Sequence, residues 1–119
     1  MLLSPYRVLD LTHTYGMLCG QILGDLGADV IQIEPPNGAP GRKLGPFLNH
    51  QPDPEASLYW WSYARGKRSM KLDVDAERQL FARLVKHADV LIDAEPPGAM
   101  QARGIGYEHL QQLNPALIH

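Results

Sequence analysis

Hydrophobic and polar positions along the chain alternate between strand-like runs and helix-like spacing. Residues 7–11, RVLDL, form a short apolar run that stops at the polar Thr12, His13 and Thr14, as a strand does. The spacing then predicts a helix over 16–26, with Gly27 suited to the left-handed position that closes it. Residues 28–34, ADVIQIE, bring together the β-branched Val30, Ile31 and Ile33, which suits a buried parallel strand. Strand, helix and strand in so few residues make a βαβ unit, whose crossover is right-handed.

The pattern breaks over 35–56, where Pro35, Pro36, Pro40, Pro46, Pro52 and Pro54 with Gly38, Gly41 and Gly45 forbid a persistent helix or central strand. A loop of that length inside a compact domain usually serves a function or a neighbour. Residues 57–64 carry Tyr59, Trp60, Trp61 and Tyr63 and read as a short helix with a buried aromatic face. A strand at 69–72, a helix at 75–87 and a strand at 89–92 follow. In that helix Ala76, Leu80, Phe81, Leu84 and Val85 share one side. After a turn at 96–98, short helices at 99–102 and 107–113 lead to a last strand at 116–119. The expected class is α/β, a parallel sheet with flanking helices. A sheet seldom finishes on an uncovered strand, so the chain reads as the front part of something larger, one domain over 1–119.

Composition narrows the partners. At 119 residues with 45% hydrophobic and 20% charged positions, the chain supports one core and no second domain. A formal charge of -2 gives no global attraction to nucleic acid or anionic lipid, so any anion site must be a local cluster. The single Cys19 fits a reducing, cytoplasmic setting, and no cysteine and histidine spacing suggests a metal site. No run of about eighteen apolar residues suggests a membrane span.

In an open α/β sheet ligands sit beyond the carboxyl ends of the strands, so the loops after Leu11, Glu34, Asp73 and Ile92 are where chemistry is expected. Glycines at 16, 20, 24 and 27 match neither a dinucleotide fingerprint nor a Walker loop. Gly20 and Gly24 read as small residues that let the helix approach the sheet. Glu34 reads as a ribose ligand or, more simply, as a strand-end charge facing solvent or pairing with an arginine. The run Arg65-Gly66-Lys67-Arg68-Ser69 gathers three cations around a glycine. It suits a diphosphate or a phosphorylated ribose, or else it is a solvated basic loop. Arg42 and Arg103 either join that cluster or stay on the surface. Asp93, at a strand end, is a place to hold a catalytic carboxylate, and His13 a proton carrier or a hydrogen-bonded structural residue. Cys19 reads as a small core hydrophobe on the packed helix face.

Six phrases, RVLDLT, GQILGDLGADVIQIEPP, GRKLGPF, RGKRSMKLDV, ADVLIDAEPPG and GIGYEHLQQLNPALI, run in an order and spacing that resembles class III CoA-transferases. That group includes formyl-CoA and carnitine CoA-transferases and the related 2-methylacyl-CoA racemases. The resemblance implies a Rossmann-like amino-terminal domain binding the CoA nucleotide, within a larger fold of interlocked homodimers. It implies acyl-CoA and a small carboxylic acid as partners and no metal. An aspartate attacks the thioester to give a mixed anhydride, which divides one hard transfer into two easier steps; its position lies beyond His119, so no residue here takes that role. The CoA contacts implied are Thr14 and Tyr15, then Ala64, Arg65, Gly66 and Lys67, then Ala94, Glu95 and Pro96, with Lys67 nearest the phosphates. The chain departs from the pattern at Ala94 and Glu95, where asparagine and an aromatic or basic residue are common, and at Ala102, where an arginine often meets phosphate. Those departures leave open a structural domain that no longer binds CoA.

Overall fold

The computed structural model describes residues 1–119. Its elements follow the order β1 (Arg7–Asp10), α1 (Met17–Asp25), β2 (Asp29–Glu34), α2 (Leu58–Ala64), β3 (Arg68–Lys71), α3 (Arg78–Lys86), β4 (Val90–Ile92), α4 (Ala99–Ala102) and α5 (Tyr107–Leu113), with single 3-10 turns at Pro40–Lys43 and Leu48–His50 in the proline-rich loop. The strands form one sheet in the order β3-β2-β1-β4, and every pairing is parallel. The fold is therefore α/β, as the alternation of periods predicts.

The two faces of the sheet are buried differently. Leu9 of β1, Ile31 and Ile33 of β2 and Leu91 of β4 meet Phe81 and Val85 of α3, Met100 of α4 and Leu110 of α5 in the main core. Side chains alternate across a strand, so Val8 and Val30 point the other way and pack with Leu23 of α1 in a smaller cluster. On that second face the next inward positions are polar: Asp10, Gln32 and Glu34 are 0%, 1% and 0% exposed. A fully buried carboxylate needs a paired cation or several hydrogen bonds, and the protein supplies both.

Lys67, on the turn leading into β3, reaches under α1. Its Nζ donates to Asp10 Oδ2 (2.8 Å), to the Met17 carbonyl (3.0 Å) and to Gln32 Oε1 (3.2 Å). Asp10 Oδ1 accepts from the Thr12 backbone N–H (2.9 Å) and hydroxyl (2.5 Å), and Gln32 Nε2 donates to the Asp10 and Thr12 carbonyls. One network thus ties β1, β2, the first turn of α1 and the start of β3. Further along the same face, Glu34 accepts from Arg42 Nε and Nη2 (each 2.7 Å), Ser69 Oγ (2.6 Å) and the Ala39 N–H (2.9 Å). The Arg42 guanidinium also lies 4.7 Å from the Trp60 ring centroid, a cation–π contact. The proline-rich loop is thereby pinned to the sheet and to α2, whose Ser57 cap accepts from the Trp60 N–H.

Three expectations shift. The helix after β3 starts at Arg78 rather than 75, because Asp73 Oδ1 accepts from the Asp75 and Ala76 N–H groups and Glu77 reaches back to the Asp73 N–H, holding a turn ahead of it. The strand expected at 116–119 is a single bridge between Ile118 and Val90; the Asn114 side chain fixes a turn there by accepting from the Ala116 N–H and donating to Val85 and Ala88. Cys19 is exposed, since α1 buries Met17, Gly20 and Gln21 instead.

Gly20 is where α1 closes on the ion pair: a Cβ there would fall 2.1 Å from Asp10 Oδ2 and 3.2 Å from Lys67 Nζ. Glycine to alanine inside a helix normally stabilises by about 1 kcal/mol. Here the neighbour is an anchored carboxylate, so Gly20→Ala is expected to destabilise by about 2 kcal/mol as overpacking does. Urea unfolding checks it; a stabilised variant would show that the pair yields.

Candidate functional site

Chain order runs from β1 outward to β2 and β3, then returns to the far side of β1 for β4. The carboxyl ends of β1 and β4 therefore flank a topological switch point, where α/β sheets open a crevice. Two adjoining cavities occur there. One, of about 230 Å³, has an apolar floor of Leu11, Ile33, Leu72 and Met100, and its rim includes His13, Asp73, Asp75, Glu95 and Arg103. The other, of about 210 Å³, lies between the loop after β1, including His13, Thr14 and Tyr15, and Ala94 and Glu95 after β4. All four loops beyond the strand ends contribute to these walls, with Pro35 and Pro36 supplying the share after β2.

The loop after β1 is set by its neighbours. Gly41 passes so close to it that a Cβ would sit 2.4 Å from the His13 carbonyl, and Tyr59 Oη donates to the Thr14 carbonyl (2.8 Å). Tyr15 is left 84% exposed at the mouth. His13 Nδ1 is buried without a hydrogen-bond partner. Burial pushes the imidazole pKa down, against the carboxylates of Glu95, Asp10 and Glu34, which favours the uncharged ring. Arg103 is the only cation on the larger rim, and its Nε donates to Asp75 Oδ1 (3.1 Å). Glu95 has its N–H bound by Asp93 Oδ1 (3.1 Å).

Thr14, Tyr15, Ala94, Glu95 and Arg103 thus converge on the switch-point cavities. The basic run does not. Residues 65–67 precede β3, at the amino edge of a parallel sheet whose cavities open at the carboxyl edge. Each cation is met by an aspartate: Arg65 by Asp25 (3.3 Å), Lys67 by Asp10 and Arg68 by Asp29 (2.7 Å). The Lys67 side chain is 1% exposed and its three donors are taken. The Lys67 ammonium, expected beside a diphosphate, is engaged here by the buried Asp10 carboxylate, the Met17 carbonyl and Gln32. Gly66, at φ 73°, serves the turn, and the Ala64 carbonyl accepts from the Lys67 N–H. Arg42 is likewise committed to Glu34, so the simpler reading of Glu34, a partner for an arginine, is the one the structure takes. Pro96 stands outside both cavities and accepts from the Ala99 N–H. Asp93 is not a free carboxylate, since its second oxygen lies 2.6 Å from His119 Nε2.

Sequence reasoning missed Asp73, Asp75, Leu72 and Met100 on the wall. The rule that sends ligands to strand ends already pointed to the loop after β3, but the cations before that strand drew attention away from it. No group of three or more His, Cys, Asp or Glu residues is placed to hold a metal, and no helix is long and apolar enough to cross a membrane.

An open parallel sheet with cavities at its switch point defines a Rossmann-like α/β domain. Residues 3–119 match CoA-transferase family III, and the chain belongs to that family. It is 38% identical over 117 residues to succinyl-CoA:(R)-benzylsuccinate CoA-transferase subunit BbsE of Thauera aromatica, covering 97% of this chain and 28% of that one. It is 40% identical over 120 residues to succinyl-CoA:mesaconate CoA-transferase of Haloarcula hispanica, covering 98% and 30%. Among solved structures, the hypothetical protein Rv3272 of Mycobacterium tuberculosis superposes with a TM-score of 0.83 at 38% identity, over 98% of this chain and 31% of that one. A CAIB/BAIF family protein from Brucella suis gives 0.82 at 38%, over 95% and 31%. The chain spans about 30% of the length of these curated relatives.

Two stability predictions follow from the occupied charges. Lys67→Ala leaves Asp10 buried and unpaired, and is expected to destabilise by about 3–5 kcal/mol, read by denaturant unfolding; a loss under 1 kcal/mol would contradict a structural role. For Glu34, burial alone would raise the carboxyl pKa, but hydrogen bonds from Arg42, Ser69 and Ala39 outweigh it and lower the value from 4.5 to about 2. A depressed folded pKa contributes stability that is present above 4.5 and is lost as pH falls toward about 2. Glu34→Gln should flatten that acid limb, and an unchanged limb would contradict the assignment.

Proposed function

We propose that this chain is the amino-terminal, nucleotide-binding part of a CoA-transferase, and that the CoA nucleotide docks at the carboxyl-edge cavities rather than at the basic turn. The observation that carries this reading is the convergence of loops from all four strands on one switch point in a member of this family. Apolar floor residues suit the faces of a base or the pantetheine arm, and Arg103 is the group available to a phosphate oxygen. Acyl-CoA and a small carboxylic acid are the substrates that fit. Transfer between carboxylates proceeds in this reading through an aspartyl mixed anhydride, with the nucleophile supplied outside these 119 residues. Turnover then needs more than this chain, and a homodimer of the whole protein in the cytoplasm is the setting it implies. The exposed Leu18 and Ile22 of α1 and Leu26 just after it fit burial in a larger assembly.

A second reading, a structural domain without CoA binding, is favoured by one observation: Asp73, Asp75 and Glu95 outnumber Arg103 on the rim. Calorimetric titration with CoA separates the two. Saturable binding is expected, weakened about tenfold by Arg103→Ala, the worth of one hydrogen bond to a charged group, and unchanged by Arg65→Ala. Loss of affinity in Arg65→Ala with none in Arg103→Ala would return the site to the basic turn. No uptake by a folded sample would favour the structural domain.

A further inference from the structure

His13 lines both switch-point cavities, and its ring is not tied to the protein. Nδ1 is buried and unpaired, while Nε2, which makes no hydrogen bond either, is the nitrogen left accessible. Buried polar atoms nearly always find a partner, and an orphaned N–H is rarer than an orphaned lone pair. A neutral imidazole carries its proton on one nitrogen only, so an unpaired buried Nδ1 favours the tautomer with the lone pair there and the proton on Nε2. Burial also lowers the ring pKa, against Glu95, Asp10 and Glu34, which favours this uncharged form over imidazolium. The backbone is held as well: the His13 carbonyl accepts from the Gly41 N–H (3.0 Å) and the Thr14 carbonyl from Tyr59 Oη (2.8 Å).

A fixed N–H donor without net charge suits a carbonyl oxygen, which a neutral histidine can polarise as an electrophile. Beside His13 the larger cavity has an apolar floor of Leu11, Ile33, Leu72 and Met100. Such a floor with one convergent polar group fits an uncharged ligand segment, and the uncharged arm of an acyl-CoA has amide and thioester carbonyls as its main acceptors. We infer that His13 is a substrate-binding residue, donating its Nε2–H to a carbonyl oxygen in the pantetheine and thioester arm of acyl-CoA. The inference rests on the reading of these cavities as the CoA site and adds which part of the ligand meets the loop after β1. One hydrogen bond between neutral groups is worth about threefold to tenfold in affinity.

The test has two readouts on the 119-residue chain, each with CoA and with acetyl-CoA. Nitrogen-15 NMR of the native His13 ring is expected to show the proton on Nε2, and that proton's resonance to move downfield as ligand is added. This readout holds whatever substitution does to stability. Calorimetric titration is expected to show acetyl-CoA binding weakened about threefold to tenfold in His13→Leu and largely restored in His13→Gln, whose side-chain amide supplies an N–H in place of Nε2–H. An effect with acetyl-CoA alone assigns the bond to the thioester carbonyl, and an equal effect with CoA assigns it to a pantetheine amide. A ring protonated at Nδ1 overturns the donor role and leaves the nucleotide site standing. Affinity for acetyl-CoA unchanged by His13→Leu does the same. Failure of the native chain to bind either compound removes the nucleotide site and the inference together.

Discussion

The buried pair between Lys67 and Asp10 is the constraint on which the rest of the molecule depends. A lysine and an aspartate side chain, 1% and 0% exposed, are held in a position where each alone would be strongly destabilising. Their cost is offset by complete hydrogen bonding: every ammonium proton has an acceptor, and the carboxylate also receives Thr12. Because the partners come from β1, β2, α1 and the turn before β3, the network fixes four segments against one another. It also explains a glycine in mid-helix at position 20, where any side chain would meet the carboxylate. Thr12, in the loop after β1 that walls the cavities, and Met17, the first residue of α1, are both bound by this network.

The location of the cavities follows from topology more than from any single residue. Reversal of strand order beside β1 parts the loops that follow β1 and β4, and the proline-rich segment, tied down through Glu34, Arg42 and Trp60, closes one side. The cations are spent elsewhere. Arg42, Arg65, Lys67 and Arg68 all neutralise carboxylates, which leaves the rim acidic with Arg103 alone opposing it. The cavity rim therefore carries a charge inverted from what the basic run in the sequence suggests.

The fold was legible because its elements are the kind that local pattern reports. Val30, Ile31 and Ile33 mark a buried parallel strand; Phe81, Leu84 and Val85 mark one face of α3; prolines mark the long loop. The polar stripe was not legible. Asp10, Gln32 and Glu34 look like strand-end polarity in a one-dimensional reading, and only the pairing of β1 with β2 puts them on one buried face of the sheet. The burial of Lys67 was hidden for the same reason: a basic run reads as a surface cluster, and the demand for a cation comes from an aspartate 57 positions earlier. At the site, the rule that ligands lie past strand ends led to the loops that line the cavities. Tyr15, Ala94, Glu95 and Arg103 came from it and the family pattern, while Asp73 and Asp75 were not singled out, although they line the larger cavity.

The most direct test of this account is a map of amide chemical-shift changes in the 119-residue chain as a CoA compound is added. The carboxyl-edge site predicts that the perturbed amides fall in residues 13–16, 73–75 and 94–103. Perturbations concentrated at 65–68, with the strand-end loops unmoved, would contradict it.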